Sequence, residues 1–222
     1  TPYSWHKNLF LYAKKLKITC FSTPFDSDAV DLLEKLNCPF YKISSFEMND
    51  YVLLEKVIKT KKPIIISTGT CTLKEITEVM QFIKKKKVKN VSLLYCVSNY
   101  PAKSDDFNLN NIKILKKKFN CKVGLSDHSK NNLIAAAAVS VGAEIFEKHI
   151  ACKSSKQSPD YKFSLVDDEI RSYRHCLDQS HKMFIKNYFF RSNRENLYRN
   201  FRRSIFSIKD IKKGEKFSKK KY

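Results

Sequence analysis

Two short runs, "VGLSDHS" (Val123–Ser129) and "EIFEKHI" (Glu144–Ile150), each carry one histidine, His128 and His149. Both are apolar stretches that close on a polar cluster, one βα unit apart. On adjacent parallel strands they would end at the same rim. Two neutral imidazoles plus waters there make an open divalent-metal site, able to polarise a substrate oxygen. The plainer alternative is that His128 caps a helix and His149 fills the end of the sheet. A second set is made of hydroxyls and one amine: Thr23, Lys42, Ser45, Ser67 and Ser126 each follow or close an apolar run. Such donors suit a phosphate or a carboxylate. Any one serine alone is explained equally well as the cap of the next helix; their repetition at successive strand ends points to an anion. Glu47 and Asp127 are the acid–base candidates, and each alone also reads as a capping or surface carboxylate. His6, His175 and His181 fall in helical stretches with no such setting.

These side chains need a scaffold that brings strand ends together. Six brief, β-rich runs qualify as strands: 18–22, 40–44, 63–67, 91–96, 122–126 and 144–148. They are apolar on both faces, as buried parallel strands are. Amphipathic segments lie between them. Residues 26–36 open on acids, and 70–87 carry a Thr72-x-x-Glu75 capping box. A strand-to-strand period of about 20 to 30 residues is the βα repeat rather than a hairpin array. With only four glycines and no G-x-G-x-x-G, a dinucleotide fold that concentrates chemistry at one Gly-rich turn is disfavoured. Polar residues after nearly every strand favour a (β/α)8 barrel, whose active site is built from loops at the C-terminal strand ends. Six units are two short of closure, and the opening at Thr1, without Met, places the expected gap at the front. Beyond Ile170 a longer helix is predicted. A β-like run then follows, Arg202–Ser218, with a turn at Gly214, as at the start of a further small domain.

Seven cysteines, an odd number with no C-x-x-C pair, argue against a disulfide framework and for a reducing cytoplasm. No run of ~18 apolar residues suggests a membrane span, and no signal peptide is visible. The net charge of +21 raises a nucleic-acid-binding module as an alternative. However, Lys84–Lys87 and Lys116–Lys118 fall at predicted helix C-termini, where cations suit the dipole, and Lys219–Lys221 lie in the tail. No interleaved stacking aromatics, zinc spacing or recognition helix accompany them, so a solvated basic face is the expectation.

The runs "CFSTPFD", "YKISSFE", "KPIIISTGT", "LLYCVSNYPA", "VGLSDHS" and "EKHI", in this order and spacing, resemble the sialic acid synthase family. The opening "TPYSWHKNLFLYAKKL" and "YPAK" are similar to its pseudaminic acid synthase branch. The resemblance implies an enzyme that condenses phosphoenolpyruvate with an open-chain N-acetylated amino-sugar aldehyde and releases phosphate. N-acetylneuraminate or legionaminic acid synthesis is the neighbouring alternative, and an inactive fragment the alternative of another class. It implies a TIM barrel represented by strands three to eight in residues 1–190. Residues 191–222 would be the linker and the start of a C-terminal SAF (antifreeze-like) domain. By the same resemblance His128 and His149 hold Mn2+ or Mg2+, and Thr23, Lys42, Ser45, Ser67, Ser98 and Ser126 contact phosphoenolpyruvate. Glu47, Tyr100 and Asp160 of "SPDYKFSL" lie near the sugar, and the full-length protein is a homodimer. Ser44 departs from the commoner "KIAS", Ser98 stands where some relatives carry Asn, and "STGT" and "HIA" replace "STGM" and "HFT".

Overall fold

The structure is a computed structural model that describes residues 1–216. It divides into one unit of residues 1–184 and a second of residues 185–222. The first unit opens with helix α1 (Tyr3–Lys15) and α2 (Ser27–Lys35). Five strands alternating with four helices follow: β1 (Tyr41–Ile43), α3 (Tyr51–Lys59), β2 (Ile64–Ser67), α4 (Leu73–Lys85), β3 (Val91–Cys96), α5 (Asn110–Phe119), β4 (Lys122–Asp127), α6 (Asn132–Ser140) and β5 (Phe146–Lys148). All neighbouring strands are parallel, and their spatial order is their chain order, β1-β2-β3-β4-β5. A sheet that never reverses direction has no switch point. It curls as a half-barrel.

Local sequence explains the helix starts. Asp26 accepts from the Ala29 amide at 2.7 Å and Asp50 from the Leu53 amide at 2.9 Å; caps of this kind contribute about 1 kcal/mol each. The Thr72–Glu75 capping box forms as expected. The lysines at 84–85 and 116–118 occupy last turns of α4 and α5.

Strand residues divide by period two. Tyr41, Ile43, Ile64, Ile66, Val91, Leu93, Tyr95, Val123 and Leu125 pack with Leu33, Leu54, Val79 and Ile112 of the helices into one core. The alternate positions, Lys42, Ser67, Cys96, Ser126 and Glu147, face the other side. Gly124 lies among these. A Cβ added there would sit 2.0 Å from the Ile145 carbonyl oxygen, which accepts the Leu125 amide at 2.8 Å. Backbone cannot give way there, so Gly124→Ala should cost about 3 kcal/mol or more, read as a lower midpoint in chemical denaturation. A midpoint within experimental error of wild type would show that the β4–β5 edge yields freely.

Three differences from the sequence reading stand out. Residues 18–22 are no strand: the segment makes no ladder bonds, and Ile18 is 61% exposed. β-rich composition supplies propensity, but a strand needs a partner's edge. Its end is instead tied to α1 through His6, whose Nδ1 meets the Pro2 carbonyl at 3.1 Å and whose Nε2 meets Ser22 Oγ at 3.3 Å; His6 is therefore a buried tie rather than an ordinary helix residue. A two-stranded parallel pair, β6 (Ile150–Ala151) with β7 (Leu165–Val166), was not expected. Helix α7 (Asp168–Phe184) follows it, with Tyr173 buried against Ala135 and Leu165. In the second unit the described residues form a short helix α8 (Asn193–Leu197) and a 3-10 turn at Tyr198–Phe201. No paired strand occurs among its described residues, so the predicted β-like run is not formed as far as residue 216. Its end and Lys219–Lys221 lie outside the described residues. No helix among the described residues is long and apolar enough to cross a membrane.

Candidate active site

At the C-terminal strand ends a cavity of about 420 Å3 is lined by Thr23, Lys42, Ser45, Ser67, Tyr100, Ser126, His128 and His149. Phe25, Ser44, Phe46, Cys96, Glu147 and Lys148 complete the lining. Glu47, Ser98 and Asp160 stand beside it. Glu47 accepts from the Ser44 hydroxyl, and burial pushes its carboxyl above the usual range. Asp160 faces His149.

The anion-seeking side is built on β1, β2 and β4. Lys42 is almost fully buried, its Nζ 3.3 Å from a Glu147 oxygen. Ser126 Oγ donates to the other Glu147 oxygen at 2.7 Å, the two residues being register partners on β4 and β5. Ser45 Oγ accepts the Gly69 amide at 3.0 Å. A Cβ on Gly69 would lie 2.3 Å from Ser98 Oγ and 2.7 Å from Ser45 Oγ, so a side chain there would push both hydroxyls out of the cradle. Ser67 Oγ is buried and without a hydrogen-bond partner among the described residues. A buried hydroxyl left unsatisfied is costly; here it borders a cavity, where a ligand oxygen would satisfy it.

The imidazoles stand opposite, ring centroids 5.3 Å apart. His128 Nδ1–H donates to the Val97 carbonyl at 2.8 Å, which assigns the tautomer and leaves Nε2 as a free lone pair. His149 Nδ1 faces the Asp160 carboxylate at 3.5 Å, again turning Nε2 outward. Burial lowers the pKa of both rings below the ordinary histidine value, and the His128 neighbour adds to the effect at His149. Both are thus neutral near pH 7, the form that binds metal. Tyr100 and Phe163 help to shut out water: Tyr100 stacks 4.3 Å from the His128 ring, and Phe163 lies 5.0 Å from the His149 ring. Among the described residues no group of three or more His, Cys, Asp or Glu could hold a metal. The donor set fits a divalent ion bound by two imidazoles, with the remaining positions left to water or substrate.

Sequence reasoning passed over Glu147, Lys148, Phe163 and Tyr173. Period two from His149 would have placed Glu147 on the same face. Asp127, an acid–base candidate, is buried away from the mouth: it accepts the Tyr173 hydroxyl at 3.1 Å and lies 3.4 Å from Lys148 Nζ.

Known proteins are similar to this chain in sequence and in fold. The chain is 42% identical to the pseudaminic acid synthase of Helicobacter pylori over 217 residues, 97% of this chain and 64% of that protein. It is 39% identical to an N,N'-diacetyllegionaminic acid synthase of Campylobacter jejuni over 96% of this chain and 65% of that one. The chain thus spans less than two thirds of these relatives' length. Among solved structures, the N-acetylneuraminic acid (sialic acid) synthetase of Leptospira borgpetersenii superimposes with a TM-score of 0.83 at 30% identity, covering 90% of this chain and 70% of that one. The NeuB family model matches residues 1–186, which hold every strand among the described residues, His128, His149 and the whole cavity lining, and the chain belongs to the NeuB family.

Proposed function

We propose that the protein is a nonulosonic acid synthase of the pseudaminic type. It condenses phosphoenolpyruvate with an open-chain N-acetylated amino sugar and releases phosphate. The observation that carries this reading is the cavity's division: a buried amine and an orphaned buried hydroxyl on one side, two neutral imidazoles on the other. The identity to pseudaminic acid synthase supports the choice of sugar over its legionaminic and neuraminic neighbours.

Lys42, Ser67, Ser126, Thr23 and the Gly69–Ser45–Ser98 cradle hold the phosphate and carboxylate of the enolpyruvate. Charge-assisted bonds from a nearly dry amine are the strongest available there. As the enol carbon attacks the aldehyde, whose oxygen takes up a proton, positive charge grows at the enolpyruvate C2; water adds there, and the C2–O bond breaks to release phosphate and leave the keto acid. Glu147, the one carboxylate among the lining residues, is placed to offset that charge. Tyr100 and Asp160, with Glu47 behind Ser44, border the space left for the sugar. A divalent cation, Mn2+ or Mg2+, held by His128 and His149 would supply Lewis acidity to the aldehyde. Holding two reactants face to face is worth roughly 7–11 kcal/mol when alignment is good.

The reading extends to the whole protein. The curled sheet supplies strands of an eight-stranded barrel over residues 1–190. Residues 191–222 are a linker and the start of a SAF-like domain. The full-length protein pairs as a homodimer, and it works in the cytoplasm, in keeping with seven free thiols. The test is phosphate release from phosphoenolpyruvate with Mn2+ and diacetamido-trideoxy-altrose, against N-acetylmannosamine. Turnover of about 1 per second with the trideoxy sugar alone is expected of the full-length protein, and little or none of residues 1–222 by themselves. Preference for N-acetylmannosamine would reject the pseudaminic assignment, and acceptor-independent phosphate release would reject the synthase itself.

A further inference from the structure

The Lys148 ammonium projects from β5 into the end of β4. Its three donors meet three acceptors: the Asp127 carbonyl at 3.0 Å, the Ser129 carbonyl, and Asp127 Oδ2 at 3.4 Å. Those two carbonyls flank His128 in the chain. The residue just before His149 therefore pins the backbone on both sides of His128. Asp127 completes the tie, since its Oδ1 accepts the Ser129 amide at 2.8 Å and its Oδ2 accepts the Tyr173 hydroxyl at 3.1 Å, from α7, 46 residues away. The Lys148 amine also sits 5.7 Å above the Tyr173 ring. Both charged side chains are nearly or wholly buried, at 7% and 0% exposure.

We propose that Lys148, Asp127 and Tyr173 form a positioning clamp that sets the mutual placement of the His128 and His149 rings. Although Lys148 borders the cavity, its donors are all engaged, so it has none left for a ligand anion. A buried ion pair is weak evidence for stability, because an apolar pair often stabilises as well. Its evident use here is orientation, as partners beyond the ligands orient metal-binding histidines elsewhere. The proposal rests on reading the two imidazoles as one metal site.

The test compares wild type with Tyr173→Phe, which removes one hydroxyl, and Lys148→Met. Long-range 1H–15N spectra of the histidine rings are recorded without metal. Mn2+ and phosphoenolpyruvate are then titrated separately, and thermal melts are followed. Wild-type His128 should show a single Nδ1–H tautomer. Both variants should show shifted or mixed ring signals and bind Mn2+ about 10- to 100-fold more weakly, while binding of phosphoenolpyruvate at the Lys42 side stays nearly unchanged. Ring signals and Mn2+ affinity equal to wild type in Tyr173→Phe would overturn the clamp. So would equal losses of both ligands in step with a lowered melting temperature, which mark a merely structural role. If the ring signals move but no form binds Mn2+, the clamp stands and the metal reading falls.

Discussion

His149→Ala is expected to abolish specific manganese binding while the protein stays folded. His149 contributes one of only two imidazoles, so the loss should reach about 100-fold in affinity or more, beyond what is typical when a ligand's partner is changed. The fold should survive because the ring touches Phe163, His128 and Asp160 at the cavity edge and belongs to neither apolar core. Quenching of the free-Mn2+ resonance on titration reads the affinity, and circular dichroism reads the fold. Wild-type affinity in the variant would mean that His128 binds with a different partner.

Lys42→Met should raise the KM for phosphoenolpyruvate far more than that for the sugar. A hydrogen bond to a charged group is worth about 1.5–3 kcal/mol, which corresponds to roughly 10- to 150-fold. The amine is almost fully buried and faces Glu147, so the change also leaves that carboxylate without its counter-charge beside the anion, pushing in the same direction. Steady-state kinetics with each substrate varied in turn gives the comparison. Equal changes in both KM values would remove Lys42 from the anion site.

Much of this could be read from the residues because local rules govern it. The runs at 40–44, 63–67, 91–96, 122–126 and 144–148 all contain paired strands, since apolar β-rich stretches between amphipathic helices have one economical arrangement. Hydroxyls at strand ends converge for the same reason. What escaped the reading is long-range or short. Tyr173 meets Asp127 across 46 residues, and nothing near either one announces it. β6 and β7 have two residues each, too few for any period. Glu147 and Lys148 sit on a three-residue strand, where adjacent charges look like water-facing residues. The segment at 18–22 failed in the opposite way: its composition promised a strand, but pairing depends on what lies beside it.

The alternation of the sheet separates two kinds of selection. Positions 41, 43, 64, 66, 93 and 125 answer to the helices behind them, and positions 42, 67, 126 and 147 answer to whatever occupies the cavity. The two sets point to opposite faces of the strands, so most changes in one do not contact the other. Substitution at every second residue near a strand end therefore reshapes the cavity before it reaches the helix-facing core, except where backbone crowds the strand, as at Gly124.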